Sequence, residues 1–355
     1  MRIEAIRQAL HAAGAKEAHV ERVLRAWTQA RPLDAGPRHQ PPESHLPLAL
    51  RNALPQMQDN LSALALIRSE HAGEDGSRLL VALGDGQLVE SVLLPRDGLC
   101  ISTQVGCAVG CTFCMTGRDG LLRQVSSGEM VAQVVLARRQ RKVSRVVFMG
   151  MGEPSHNIDN VLEAIDTLGT YGGIGHKNLV FSTVGDHRVF ERLPRERVRP
   201  ALAVSLHTTR PELRRELLPR AAAIEPDELV ELAEIYARTT GYPIQYQWTL
   251  IEGVNDSEAE MDGIVRLLSG KYALMNLIPY NTTAALEYRR PAVQRVTDLA
   301  RYLHARGIRT TVRNSAGQDV DGGCGQLRAR NLEPKEKRQR EQVMRRSPAP
   351  PGSAT

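Results

Sequence analysis

From residue 99 to residue 313 the sequence alternates short strand-like runs with helical ones, and this alternation narrows the fold more than any other feature. The strand-like runs are LCISTQV (99–105), RVVFMG (145–150), LVFSTV (179–184), ALAVSL (201–206), IQYQWTL (244–250), ALMNLIP (273–279) and IRTTVR (308–313). Between them stand EMVAQVVLARR, NVLEAIDTLG, DELVELAEIYART, AEMDGIVRLLS and AVQRVTDLARYLHA, with apolar residues at helical spacing. The first of these opens on Ser126 and Glu129, the Ser-x-x-Glu pattern of a capping box. Repeated strand–helix units predict an α/β fold, a mainly parallel sheet covered by helices. Spacing alone does not choose between a barrel and an open, doubly wound sheet.

The unusual residues are not scattered over this frame. Cys107, Cys111 and Cys114 follow the first strand, and Gly150-Met151-Gly152-Glu153-Pro154 follows the second. Ser182 and Thr183 end the third, Ser205, Leu206 and His207 end the fourth, and Asn281 follows the sixth. All lie at the C-terminal ends of strands, where parallel α/β proteins build their sites. Several strands feeding one site favours a barrel or part of one.

Cys107-x3-Cys111-x2-Cys114 gathers three thiols on one short loop, and thiolates bind soft or borderline metals. A structural zinc site needs a fourth ligand, which Cys100 or Cys324 could supply. The functional reading is a [4Fe–4S] cluster held by three cysteines, with one iron open to a small ligand. In GMGEP the two glycines let backbone approach a ligand and Glu153 can accept from an amine; the third glycine of a dinucleotide fingerprint is missing. Ser182, Ser205, His207 and Asn281 suit hydrogen bonds to a ribose, a carboxylate or a base, although each alone reads more readily as a loop cap. A serine–histidine nucleophile pair lacks the accompanying G-x-S-x-G turn. Cys100 precedes the cysteine loop, and Cys324 lies in the glycine-rich DGGCGQL. Two thiols able to meet over one site suggest a transient catalytic disulfide; inert buried cysteines are the plain alternative.

The flanks differ from this core. Residues 1–30 carry Ile3, Ile6 and Leu10, then Val20, Val23, Leu24 and Trp27, at the spacing of two short amphipathic helices. The linker RPLDAGPRHQPPESHLP follows, then RLLVALGDGQLVESVLLP, whose two alternating runs around Gly84-Asp85-Gly86 predict a hairpin. The net charge is +6, but residues 328–355 alone carry eight Lys/Arg against three Glu, so the body is close to neutral. That tail has too few large apolar residues to pack and is expected to be disordered. No apolar run reaches the length of a membrane span and no secretory signal opens the chain, so a cytoplasmic protein without membrane contact is expected. Five cysteines in a reducing compartment favour metal or catalytic roles over a disulfide framework.

Taken in order, LCISTQVGCAVGCTFCMTG, VVFMGMGEP, FSTVG, LAVSLH, LIEGVNDSE, MNLIPYN and VRNSAGQDVDGGCGQL resemble the radical-SAM RNA adenine methyltransferases of the RlmN/Cfr family. The match runs from about Glu90 to Leu327. It implies a partial (β/α)6 barrel over 76–327 and a helical RNA-contacting accessory region over 1–75, and leaves outside it the basic tail read from composition over 328–355. By resemblance Cys107, Cys111 and Cys114 hold the [4Fe–4S] cluster, and Gly152, Glu153, Ser182, Ser205, Leu206, His207 and Asn281 contact S-adenosylmethionine (SAM). Cys324 takes the place of the methyl-carrying cysteine, Cys100 that of its transient disulfide partner, and Glu90 that of the proton acceptor. The implied reaction adds a methyl group to C2 of an adenosine in 23S ribosomal RNA, with C8 or a transfer RNA as the nearest variant and flavodoxin or ferredoxin as electron donor. A zinc-stabilised RNA-binding protein without catalysis is the rival of another class. Three segments depart from the family pattern: GLLRQV after the cysteines, SHN after GMGEP and TTAALEY after Asn281. They bear on the substrate rather than on the reaction.

Overall fold

The computed structural model describes residues 1–36, 40–283 and 285–329. Three helices come first: α1 (Ile3–Ala12), α2 (Glu17–Thr28) and α3 (Leu48–Ser62). An antiparallel ribbon follows, of β1 (Ala65–Ala72), β2 (Ser77–Leu83), β3 (Leu88–Leu94) and β4 (Gly98–Cys100). The β2–β3 turn closes on Gly86, whose φ of 84° is a conformation that side chains other than glycine rarely adopt. After the small pair β5 (Gln104–Gly106) and β6 (Leu121–Gln124), strand and helix alternate. The order is α4 (Ser127–Gln140), β7 (Arg145–Phe148), α5 (Ile158–Thr170), β8 (Leu179–Thr183), α6 (His187–Arg192), β9 (Ala201–Ser205), α7 (Pro211–Leu217), α8 (Pro226–Thr240), β10 (Ile244–Leu250), α9 (Glu258–Leu268), β11 (Ala273–Pro279), α10 (Val293–Ala305) and β12 (Thr310–Val312).

These strands make one sheet in the order β1-β2-β3-β4-β7-β8-β9-β10-β11-β12. It is antiparallel through β4 and parallel from β4 to β12. The sheet is barrel-like, with the N-terminal helices set beside it. Strand β8 is buried at every position, as a parallel strand covered on both faces must be. Helix α4 starts on the expected capping box: Ser126 accepts from the Glu129 N–H, and Glu129 Oε2 accepts from the Ser126 N–H at 2.8 Å. The same corner receives the chain start, where the Ile3 N–H donates to Ser127 Oγ at 2.9 Å.

Two sequence expectations change. LCISTQV is not one strand. Its first residues belong to the main sheet as β4, after which the Thr103 and Gln104 N–H groups both turn to the Met151 carbonyl and the chain enters β5. Ribbon strand β1, inside the stretch read as helix and linker, pairs with β2 in the main sheet. Of the expected tail, 328–355, only Arg328 and Ala329 are described; the rest lies outside the described residues. Arg328 belongs to the body, with its N–H on Glu90 Oε2 at 2.7 Å and its guanidinium on Asp119.

Candidate active site

The three-cysteine loop spans the gap between β5 and β6. At Gly106, φ is 78° and a Cβ would come within 2.0 Å of the Gly120 carbonyl, so the loop closes there only with glycine. Its far side is tied down twice. The Thr112 N–H donates to the Leu217 carbonyl at the end of α7 (3.0 Å), and the Met115 N–H donates to the Gly325 carbonyl (2.8 Å). Cys107, Val109 and Phe113 form a small apolar cluster with Val184, Leu217, Leu218, Ile251 and Tyr280, against which Cys111 and Cys114 pack.

Burial pushes the Cys107 thiol up to about 12, with Cys114 and Glu153 adding to it. Cys111 is driven well above the ordinary thiol range by burial and by Cys114 and Cys107. Cys114 is raised by burial, with Cys324 contributing. Among the described residues, no three His, Cys, Asp or Glu side chains form a ready-made shell for a single ion. The donor set fits an iron–sulfur cluster: three thiols on one loop, screened by apolar side chains. Metal binding releases the protons that burial otherwise keeps on the sulfurs.

GMGEP turns directly beside this loop. Gly152 (φ 102°) lies so close to Gln104 that a Cβ would meet the Gln104 side chain at 2.5 Å. Glu153 is buried; Oε1 accepts from the Ser155 N–H (3.1 Å) and Oε2 from the Val184 N–H (3.0 Å). Burial raises the pKa of its carboxyl group, opposed by the Thr183 side chain and by those two N–H groups. Ser182, one residue before the end of β8, and Ser205, the last of β9, stand on neighbouring strands, and Leu206 follows, fully buried.

His207 has φ 61°, a left-handed conformation uncommon outside glycine. Its Nδ1 accepts from the Thr249 N–H at 2.9 Å, which leaves the proton on Nε2. Its ring meets Phe113 edge-on at 4.9 Å between centroids, joining β9 to the cysteine loop. Burial, and then Arg214, lower its pKa to about 3, so the imidazole is neutral.

Asn281 does something that sequence reasoning did not foresee. Its Nδ2 donates to Ser315 Oγ and to the Cys324 carbonyl, both at 2.9 Å, so it holds the loop of the fifth cysteine. Its Oδ1 is buried and, among the described residues, has no partner. An orphaned acceptor of this kind fits a bound donor such as an amino or hydroxyl group of SAM.

Cys324 is exposed and sits where its charge would be felt by both Cys100 and Cys114. Cys100, at the end of β4, is buried, which pushes its thiol far up, with Cys324 adding to the effect. The Cys324 loop is clamped to the cysteine loop by the Met115–Gly325 bond and by Thr116 Oγ1 donating to the Leu327 carbonyl at 2.8 Å. Glu90, on β3, is fully enclosed. It pairs with the equally buried Arg78 and accepts the Arg328 N–H, so neither oxygen faces open space. Arg78 and Arg214, which contact Glu90 and the Val184, Ser205 and Leu206 carbonyls, stand at the candidate site and were not singled out in the sequence reading.

A sequence model of the Radical SAM superfamily matches residues 101–262. The "Probable RNA methyltransferase" of Dechloromonas aromatica is 78% identical over 334 residues, covering 94% of each chain. A "Probable RNA methyltransferase" of Aromatoleum aromaticum is 69% identical, covering 93% of each. Among solved structures, a radical SAM methyltransferase from Sphaerobacter thermophilus superposes with a TM-score of 0.80 at 34% identity, covering 93% of this chain and 98% of that one.

Proposed function

The chain belongs to the radical SAM methyltransferases and is a SAM-dependent RNA methyltransferase; on that premise we propose that it methylates an adenine ring carbon, C2 of an adenosine in 23S ribosomal RNA, through a methyl group carried on Cys324. The observation that carries this reading is the position of Cys324, exposed and within electrostatic reach of both Cys100 and Cys114.

In this reading Cys107, Cys111 and Cys114 hold the [4Fe–4S] cluster. Gly152, Glu153, Ser182, Ser205, Leu206, His207 and Asn281 hold SAM. Bound together, the two groups supply a transferable methyl group and one-electron chemistry that makes a carbon radical, which an unactivated adenine carbon requires. The chain supplies placement. Neutral His207 offers Nε2–H as a donor, and Asn281 fixes Cys324 while presenting its free Oδ1. Cys100, once deprotonated, attacks the Cys324 sulfur; the S–S bond forms as the bond from sulfur to the methyl-derived carbon breaks, and that carbon keeps the electron pair and takes up a proton, freeing the methylated base. Glu90 receives the ring proton, which requires the Arg328 segment to lift from it first. A flavodoxin or ferredoxin supplies electrons.

RNA contact is proposed at the N-terminal helices, where Arg22, Arg25 and Arg31 line a cavity of about 420 Å³ suited to phosphate groups. Among the described residues no helix is long and apolar enough to cross a membrane.

Mass spectrometry of nucleosides from RNA of cells with and without the protein tests the reading. Loss of 2-methyladenosine from ribosomal RNA is expected; loss of an 8-methyl product, or of a transfer RNA product, moves the substrate. Unchanged RNA sinks it. A Cys324→Ala protein purified without oxygen should keep its iron and lose methylation, whereas loss of iron would make Cys324 a ligand.

A further inference from the structure

Helix α7 carries a cation in an unusual setting. Arg214 is 5% exposed. Its Nη1 donates to the carbonyls of Ser205 (3.0 Å) and Leu206 (2.6 Å), and its Nη2 donates to that of Val184. Every one of these partners is a neutral backbone oxygen. Among the described residues no carboxylate lies within ion-pair distance of this guanidinium. Nearby Glu153 spends its oxygens on the Ser155 and Val184 N–H groups instead. Carbonyls satisfy the hydrogen bonds of a buried cation but leave its charge uncompensated, and such a charge is costly away from water.

What α7 faces supplies the missing sign. Leu213, Leu217 and Leu218, flanking Arg214, pack into the apolar cluster that surrounds Cys107, Cys111 and Cys114. The end of α7 is bonded to the cysteine loop through Leu217 and Thr112, and the turn beyond it through the Arg220 N–H and the Val109 carbonyl (3.3 Å). Cys111, then Glu153 and Glu225, are the neighbours that favour the charged guanidinium when they carry negative charge, and Cys111 does so once it is a thiolate ligand. Three thiolates around an iron–sulfur core make an anion, and reduction by one electron makes it more negative. The potential of such a cluster follows net charge and nearby dipoles.

We propose that Arg214 is a positioning residue that acts electrostatically on the cluster, its fixed buried charge favouring the reduced form from which SAM is cleaved. This rests on Cys107, Cys111 and Cys114 holding the cluster. The test uses the full chain reconstituted with iron and sulfide without oxygen, as wild type, Arg214→Lys, Arg214→Gln and Arg214→Met. Iron and sulfide are counted first. The midpoint is then read by dithionite titration with mediator dyes, one electron passing from dithionite to the cluster, followed by electron paramagnetic resonance.

Gln and Met should each shift the equilibrium away from the reduced form by tenfold or more, about 59 mV for one electron, with Lys close to wild type. Equal midpoints in all four proteins would overturn the proposal. If the uncharged variants fail to load while Lys loads, the charge holds the cluster rather than tuning its reduction, and the proposal as stated falls. If Lys fails as well, the three-carbonyl fork matters rather than the charge, and the proposal falls. A wild-type protein that binds no cluster overturns the premise instead.

Discussion

At the scale of single residues, the site is built from groups whose ionisation burial has displaced. His207 is the clearest case. Its folded pKa of about 3 lies below the ordinary value of 6.5, so the unfolded chain binds the extra proton between them. The stabilising effect of a neutral His207 is complete above about pH 6.5 and is lost as pH falls toward 3, at roughly 1.4 kcal/mol per unit. Urea unfolding at pH 7.5 and pH 5.5 should therefore show a loss for wild type about 1.4 kcal/mol larger than for His207→Gln. Identical losses would mean that the ring protonates in place. The strand-end serines, His207, Asn281 and the cysteines were legible in the sequence because polar residues and thiols interrupt apolar strand patterns. Arg214 was not. Its partners are backbone carbonyls, which carry no signature, and an arginine on a short helix ordinarily reads as surface. Glu90 was visible only through resemblance, and the Arg78 that encloses it looked like one more polar position in a hairpin.

Among elements, the long helices from α4 onward were legible from their periodicity and α4 also from its cap, whereas the fifteen-residue α3 was not read from the sequence. Replacing Ser126 with Ala should cost about 1 kcal/mol in equilibrium unfolding, since the Ser126 hydroxyl also receives the amino group of Met1 at 3.1 Å. An unchanged midpoint would show that Glu129 and Ser127 suffice. Helix α7 escaped the sequence reading because its seven residues, opened by Pro211, are too few to show a period. Strand β1 escaped it because its exposed alternate positions mix apolar Leu66 and Ala72 with Arg68 and Glu70, so the sequence shows no clean apolar–polar alternation. On the helical side, Arg22→Glu with Arg25→Glu should weaken RNA binding and flatten its dependence on salt by about two phosphate contacts. An unaltered salt slope would remove the cavity beside α2 from the RNA path.

For the whole molecule, the informative feature is what bridges the two ends of the parallel sheet. The chain beyond β12 returns to the ribbon, where the Gly317 N–H reaches Asp75 Oδ1 (2.8 Å), Asp319 accepts from the Glu74 N–H (3.1 Å) and Glu90 accepts from Arg328. These contacts join residues more than two hundred positions apart, and nothing in local spacing announces them. Asp75→Ala with Asp319→Ala should raise the rate at which Cys324 is alkylated in the metal-free protein several-fold, read by peptide mass spectrometry, with little change in the labelling of Cys100. Equal Cys324 rates would mean that Asn281 and the cysteine loop hold it unaided.

That bridging segment also sets a timetable. Cys324 follows Cys114 by 210 residues, so a ribosome moving at ordinary speed makes the three-thiol loop roughly 10 to 40 s before the loop that covers it. Throughout that interval the nascent thiols stand without the Gly325 and Leu327 contacts that later fasten them. The three-thiol loop is thus fully fastened only once residues made more than two hundred positions later have emerged.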